Sequence, residues 1–167
     1  MGALEFVKVS SDEEICRVAA LAHDIWTEYY TPLLGEKQVE YMLESFQSAG
    51  AIRKTLGEGW HYRYLLVRLD GEDVGYFSFT IENGGLFLSK IYLRQELRGH
   101  GIFSQVIDYL KKLCDRYDLY KIWLTVNKNN SDAIAAYERL GFTREYGQVT
   151  DIGGGFVMDD YVMIKRV

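Results

Sequence analysis

The chain has 167 residues, 48% of them hydrophobic and 26% charged, which is ordinary for a globular protein and fits one domain spanning 1–167. The net charge of -5 argues against a nucleic-acid partner, because phosphate backbones select basic surface, and suits a cationic or amine ligand.

In chain order, Leu4 to Val9 alternates and predicts a first strand. Ser11-Asp12-Glu13-Glu14 is a capping box, in which Ser11 accepts from the Glu14 amide and Glu14 reaches back. Val18, Leu21, Ala22, Ile25, Trp26 and Tyr29 follow at helical spacing, and Thr31-Pro32 ends that helix because the residue before proline avoids helical angles. A second helix is predicted from Glu36 to Gln47 and a short third from Ala49 to Leu56, closed by Gly57-Glu58-Gly59. Tyr62 to Leu69 and Asp73 to Ile81 read as a hairpin joined at Asp70-Gly71. Asn83-Gly84-Gly85 is a second turn, leading to a strand from Leu86 to Leu93. The helix from Gly101 to Tyr117 carries an apolar stripe of Ile102, Phe103, Val106, Ile107, Leu110 and Leu113. Lys121 to Val126 reads as a buried strand and Asn130 caps a short helix stopped by Gly141. Two last strands, Thr143 to Ile152 and Phe156 to Lys165, meet at Gly153-Gly154-Gly155. The expected class is mixed α/β, a mixed sheet with helices on both faces.

Cys16 and Cys114 have no metal-type spacing and read as reduced thiols rather than a disulfide. The three histidines are scattered, so no metal is expected. The N-terminus lacks a signal-peptide pattern and no apolar run reaches transmembrane length, which gives the expectation of a cytoplasmic chain without a membrane partner.

The stretch Arg98-Gly99-His100-Gly101-Ile102-Phe103-Ser104 lies between a strand and a helix. Unpaired amides at a helix start, two glycines that admit a ligand to the backbone, and donors on Arg98 and His100 make it a candidate phosphate site, against the plainer reading of a glycine turn with a surface arginine. As a dinucleotide fingerprint it lacks the third glycine, which is Ser104, and the next strand ends in Asn127 with no acid placed for a ribose. A P-loop is excluded because no Gly-Lys-Ser/Thr follows.

Arg98-Gly99-His100-Gly101-Ile102-Phe103 resembles the acyl-CoA signature of the GCN5-related N-acetyltransferase superfamily, with Phe103 where a small residue is usual and Ser104 next to it as an alternative donor. Leu124-Thr125-Val126-Asn127, Asn130, Ala133-Ile134, Tyr137-Glu138-Arg139 and Gly141-Phe142 resemble the family's second motif. The resemblance implies a mostly antiparallel sheet splayed into a V between its fourth and fifth strands. It also implies that acetyl-CoA is the acyl donor. The pantetheine would pair with backbone of Ile91 and Leu93, the pyrophosphate would sit on amides of Arg98 to Ser104, and the helix from Asn130 would flank the other side with Asn130 near the pantetheine; Asn127 is a further candidate for binding the cofactor. Tyr137 matches the tyrosine that protonates the leaving thiolate; outside the motif it reads as a core residue.

The implied activity is N-acetylation of a small amine or of a peptide or protein amine, with a homodimer an open expectation. Other classes remain: a non-catalytic CoA-binding module, or a dinucleotide-binding enzyme. Glu28 is a candidate general base, although each carboxylate also reads as a solvated surface group. Trp26 and Tyr30 are candidates for the acceptor wall and equally read as core. Asp159-Asp160 interrupts an apolar strand, and adjacent strand residues face opposite sides, so one aspartate is expected to point inward as an amine-binding carboxylate or to pair with a basic residue.

Overall fold

The computed structural model describes residues 2–56 and 62–167; the Gly57-Glu58-Gly59 turn and His61 lie outside the described residues. The elements are β1 (Leu4–Lys8), α1 (Asp12–Tyr29), α2 (Thr31–Leu34), α3 (Glu36–Phe46), α4 (Ala49–Leu56), β2 (Arg63–Leu69), β3 (Glu72–Glu82), β4 (Gly85–Leu93), α5 (Ile102–Arg116), β5 (Lys121–Asn127), α6 (Ser131–Arg139), β6 (Thr143–Gly153) and β7 (Phe156–Arg166). Hydrogen-bonded strand neighbours follow the order β1-β2-β3-β4-β5-β7-β6. The chain divides into two compact units, Met1–Thr80 with Lys90–His100, and Ile81–Ser89 with Gly101–Val167.

In the first unit β1 pairs antiparallel with β2, and β2 with β3. The capping box forms at the start of α1: the Glu14 amide donates to Ser11 Oγ at 3.2 Å, and the Ser11 amide donates to Glu14 Oε1 at 2.9 Å. The Ser11 and Ser10 amides hold the Glu14 carboxyl down to about 2. Helix α1 buries Ile15, Val18, Leu21, Ala22, Ile25 and Trp26, the spacing read from the sequence. Pro32 does not simply end α1. It lies in the first turn of the short α2, where its missing N–H costs nothing, so the chain stops at Tyr29 and restarts at Thr31.

The hairpin tips explain why the turns are tight. Asp70 and Gly71 have φ of 51° and 83°, Asn83 and Gly84 of 53° and 73°, the left-handed pairs that suit two-residue hairpin turns. Gly85 is therefore the first residue of β4 rather than part of the turn.

In the second unit β4 and β5 pair in parallel, Gly85 with Lys121, Leu86 with Ile122 and Phe87 with Trp123. The Phe87 and Trp123 rings stack at 4.1 Å where this ladder stops. Strand β5 then pairs antiparallel with β7, and β7 with the exposed β6. Helix α5 buries Ile102, Val106, Ile107, Leu110 and Cys114. Burial pushes the Cys114 thiol up to about 11, which makes it inert, and both cysteines are free.

Gly75 tests the packing of the first unit. A Cβ there would meet the Tyr92 carbonyl oxygen and would lie 2.6 Å from Leu93 Cδ2. Gly75→Ala is expected to lower stability by about 1–3 kcal/mol in a denaturant titration, and an unchanged midpoint would contradict this close approach.

Candidate acyl-CoA and amine site

The turn after β4 is built from the backbone. A single 3-10 turn, Gln95–Leu97, closes with the Arg98 amide donating to the Gln95 carbonyl at 3.2 Å. Gly99 and Gly101 both have φ of 79°, a conformation that side chains disfavour, and a Cβ added at either would meet nothing within 4 Å. Gly101 caps α5 without a side-chain hydrogen bond, and the first bond into the helix runs from the Gln105 amide to the Gly101 carbonyl at 3.2 Å. The amides of Ile102, Phe103 and Ser104 thus have no partner inside the helix, and they sit at its positive end. Open space around two glycines beside helix-start amides is compatible with an anion such as a pyrophosphate.

Arg98 departs from the sequence expectation. Its amide is used in the 3-10 turn, its guanidinium lies 4.0 Å over the Tyr29 ring, and Nη2 donates to the Leu93 carbonyl at 3.4 Å. The arginine therefore fastens the turn to α1 and β4 instead of offering a free fork. His100 is exposed, and Ile91 and Leu93 are buried residues of β4 outside the ladder with β5.

Phe103 has a structural reason. Its ring lies nearly parallel to that of Tyr137, 13° between planes and 6.1 Å between centroids, and Phe142 closes the other side of the tyrosine at 5.7 Å. Tyr137 is 6% exposed. The unusual residue in the first motif and the tyrosine of the second are thus neighbours, which neither motif reveals when read alone. Asn130, also buried, accepts from the Ala133 amide at 3.3 Å and so caps α6. Asn127 Oδ1 accepts from the Asn129 amide at 2.8 Å, shaping the turn between β5 and α6.

The two aspartates of β7 separate as strand geometry requires. Asp159 is exposed and pairs with Lys128 Nζ at 2.9 Å. Asp160 is 5% exposed, stands in register with Asn127 on β5 and Gln148 on β6, and its Oδ1 has no hydrogen-bond partner among the described residues. Burial, helped by the Asp159 charge and opposed by Lys128, pushes its carboxyl up to about 6.

Of the other candidates, Trp26 is buried and stacks on Tyr30 at 4.4 Å with Tyr92 edge-on, so Trp26 is part of the core of its unit and Tyr30 is half-buried beside it. Glu28 is exposed in the last turn of α1. Among the described residues no group of three or more His, Cys, Asp or Glu is placed to hold a metal ion, and no helix is long and apolar enough to cross a membrane.

Asp160 makes stability depend on pH in a definite direction. Its folded value of about 6 lies above the unfolded 3.8, so the native state binds this proton more tightly. The stabilisation is fully present below about pH 4 and is lost as pH rises through about 6, at roughly 1.4 kcal/mol for each pH step between the two values. Asp160→Asn is expected to raise the melting temperature at pH 8 and not at pH 4. A destabilised variant at pH 8 would show that the carboxylate has a partner.

The model of the acetyltransferase (GNAT) family matches residues 19–142. An uncharacterized N-acetyltransferase from the pepI 3′ region of Lactobacillus delbrueckii subsp. lactis is 25% identical over 48% of the chain and 51% of that relative, so the match spans about half its length. A spermine/spermidine N(1)-acetyltransferase of Bacillus subtilis is 24% identical over 59% of the chain and 69% of its own. The fold is that of a PaiA N-acetyltransferase from Thermoplasma acidophilum solved with coenzyme A, with a TM-score of 0.81, 20% identity and 99% of both chains covered. With a family match over most of its length, the chain belongs to the GNAT acetyltransferase family.

Proposed function

We propose that this chain is an acetyl-CoA-dependent N-acetyltransferase acting as one catalytic domain on a primary amine. The observation that carries the reading is the uncapped start of α5 at Gly101, preceded in the chain by Gly99, two left-handed glycines with open space around them. Acetyl-CoA supplies an acetyl thioester that an amine can attack directly. The amides of Ile102, Phe103 and Ser104 hold the pyrophosphate, with Gly99 and Gly101 allowing it to approach. Backbone groups of Ile91 and Leu93 orient the pantetheine. As the C–S bond breaks, Tyr137, held between Phe103 and Phe142, gives its phenolic proton to the departing sulfur, and the proton lost by the attacking nitrogen leaves through water.

The acceptor is a small cationic amine. A net charge of -5 favours a cation, and the Bacillus subtilis relative is named for spermine and spermidine. A cytoplasmic setting accords with the two free thiols.

An amine panel with acetyl-CoA, read by thiol release, tests the reading. Transfer is expected to at least one amine, and Tyr137→Phe is expected to lower kcat by about a hundredfold while acetyl-CoA affinity stays within about twofold. Acetyl-CoA binding with no transfer to any amine, or an unchanged kcat in the variant, would overturn it.

A further inference from the structure

No basic or amide group among the described residues donates to Asp160 Oδ1. Lys128, whose charge acts on Asp160, pairs with Asp159 on the opposite face of β7. Gln148, in register on β6, donates to Thr150 Oγ1 at 3.2 Å. Asn127, in register on β5, accepts from the Asn129 amide. The fold thus leaves a nine-tenths buried carboxylate with an unanswered oxygen, a feature that is costly and is kept where a ligand completes it. It lies where β5 ends and the chain turns into α6, the helix that bears Tyr137. The 5% of the residue that stays exposed is where a ligand cation would meet the carboxylate.

The chemistry narrows the ligand. A divalent metal ion needs several oxygen ligands, and Asp159 is turned away and paired. One alkylammonium needs one carboxylate. The attacking nitrogen must itself be neutral, so a lasting ion pair has to engage a different nitrogen of the acceptor.

We propose that Asp160 is the counter-charge for a second ammonium group of the acceptor, which makes this chain select amines with two positive charges over those with one. The assignment rests on the acetyltransferase reading and names the residue that sets its acceptor class. Asp160 is a specificity residue and takes no part in acyl transfer. Its neighbouring charges are Asp159 on the same strand and Lys128 on the turn after β5, and these already neutralise each other.

The test compares 1,4-diaminobutane with butylamine, which differ in the second ammonium. In the wild type kcat/KM is expected to favour the diamine by about ten- to a hundredfold, the range of a hydrogen bond to a charged group. Asp160→Asn is expected to abolish the preference through KM, and Asp160→Glu to restore part of it. The same charge change at exposed Asp118, whose φ of 54° asparagine tolerates, is expected to leave it intact. Thermal shift with 1,4-diaminobutane at pH 8 gives a second readout, in which wild type is stabilised and Asp160→Asn is not. Absence of transfer to any amine would sink the acetyltransferase reading, and the thermal shift would then decide the role of Asp160 alone. An unchanged preference or an unchanged shift in Asp160→Asn overturns the proposal.

Discussion

The parallel ladder between β4 and β5 runs for three residue pairs and stops at the stacked Phe87 and Trp123 rings. Beyond that short ladder β4 continues to Leu93, and the chain then passes through the single 3-10 turn at Gln95–Leu97. The glycine turn follows, and the start of α5, like that of any helix, has amides that nothing in the helix can satisfy. A chain that needed only to fold would cap this helix with a serine or aspartate, as Ser11 caps α1. Gly101 does not, and neither does Gly35 at the start of α3; what sets the start of α5 apart is a second left-handed glycine, Gly99, two residues before it.

Much of this is legible in the sequence because it is local chemistry. The Ser11 to Glu14 capping box and the Asp70-Gly71 turn depend on residues a few positions apart and form as their spacing predicts; the second turn gives up Gly85 to β4, and the α5 stripe buries Cys114 where the spacing predicts Leu113, with Phe103 half-buried. The two motifs are legible for the same reason. What lies beyond reach is long-range pairing. No spacing rule places Arg98 over Tyr29, far away in the chain, and only the folded structure shows that its amide and guanidinium are both engaged. Phe103 stands out in the sequence only as a departure from a motif. The fold gives it a partner, Tyr137, from another helix. Pro32 reads as a stop and is a restart, because the first turn of a helix tolerates proline as readily as the residue after its end.

The adjacent aspartates of β7 show how one strand can satisfy two readings at once. Strand alternation sends Asp159 to the side where Lys128 waits and Asp160 to the side where none does. The first is an ordinary exposed ion pair, worth little to stability. The second works against folding at neutral pH, since burial raises its carboxyl to about 6 and the charge must still be carried there. Natural chains keep such costs where function needs them, and the gain in stability expected on neutralising Asp160 would come with a loss of acceptor selectivity.

The most direct measurement of the phosphate site is an amide spectrum of the labelled protein recorded as acetyl-CoA is added. The amides of Ile102, Phe103 and Ser104 are expected to move most, as they gain phosphate acceptors, and an equal amount of NAD is expected to leave them in place. Acetyl-CoA binding that shifts other amides and leaves these three unmoved would contradict the site.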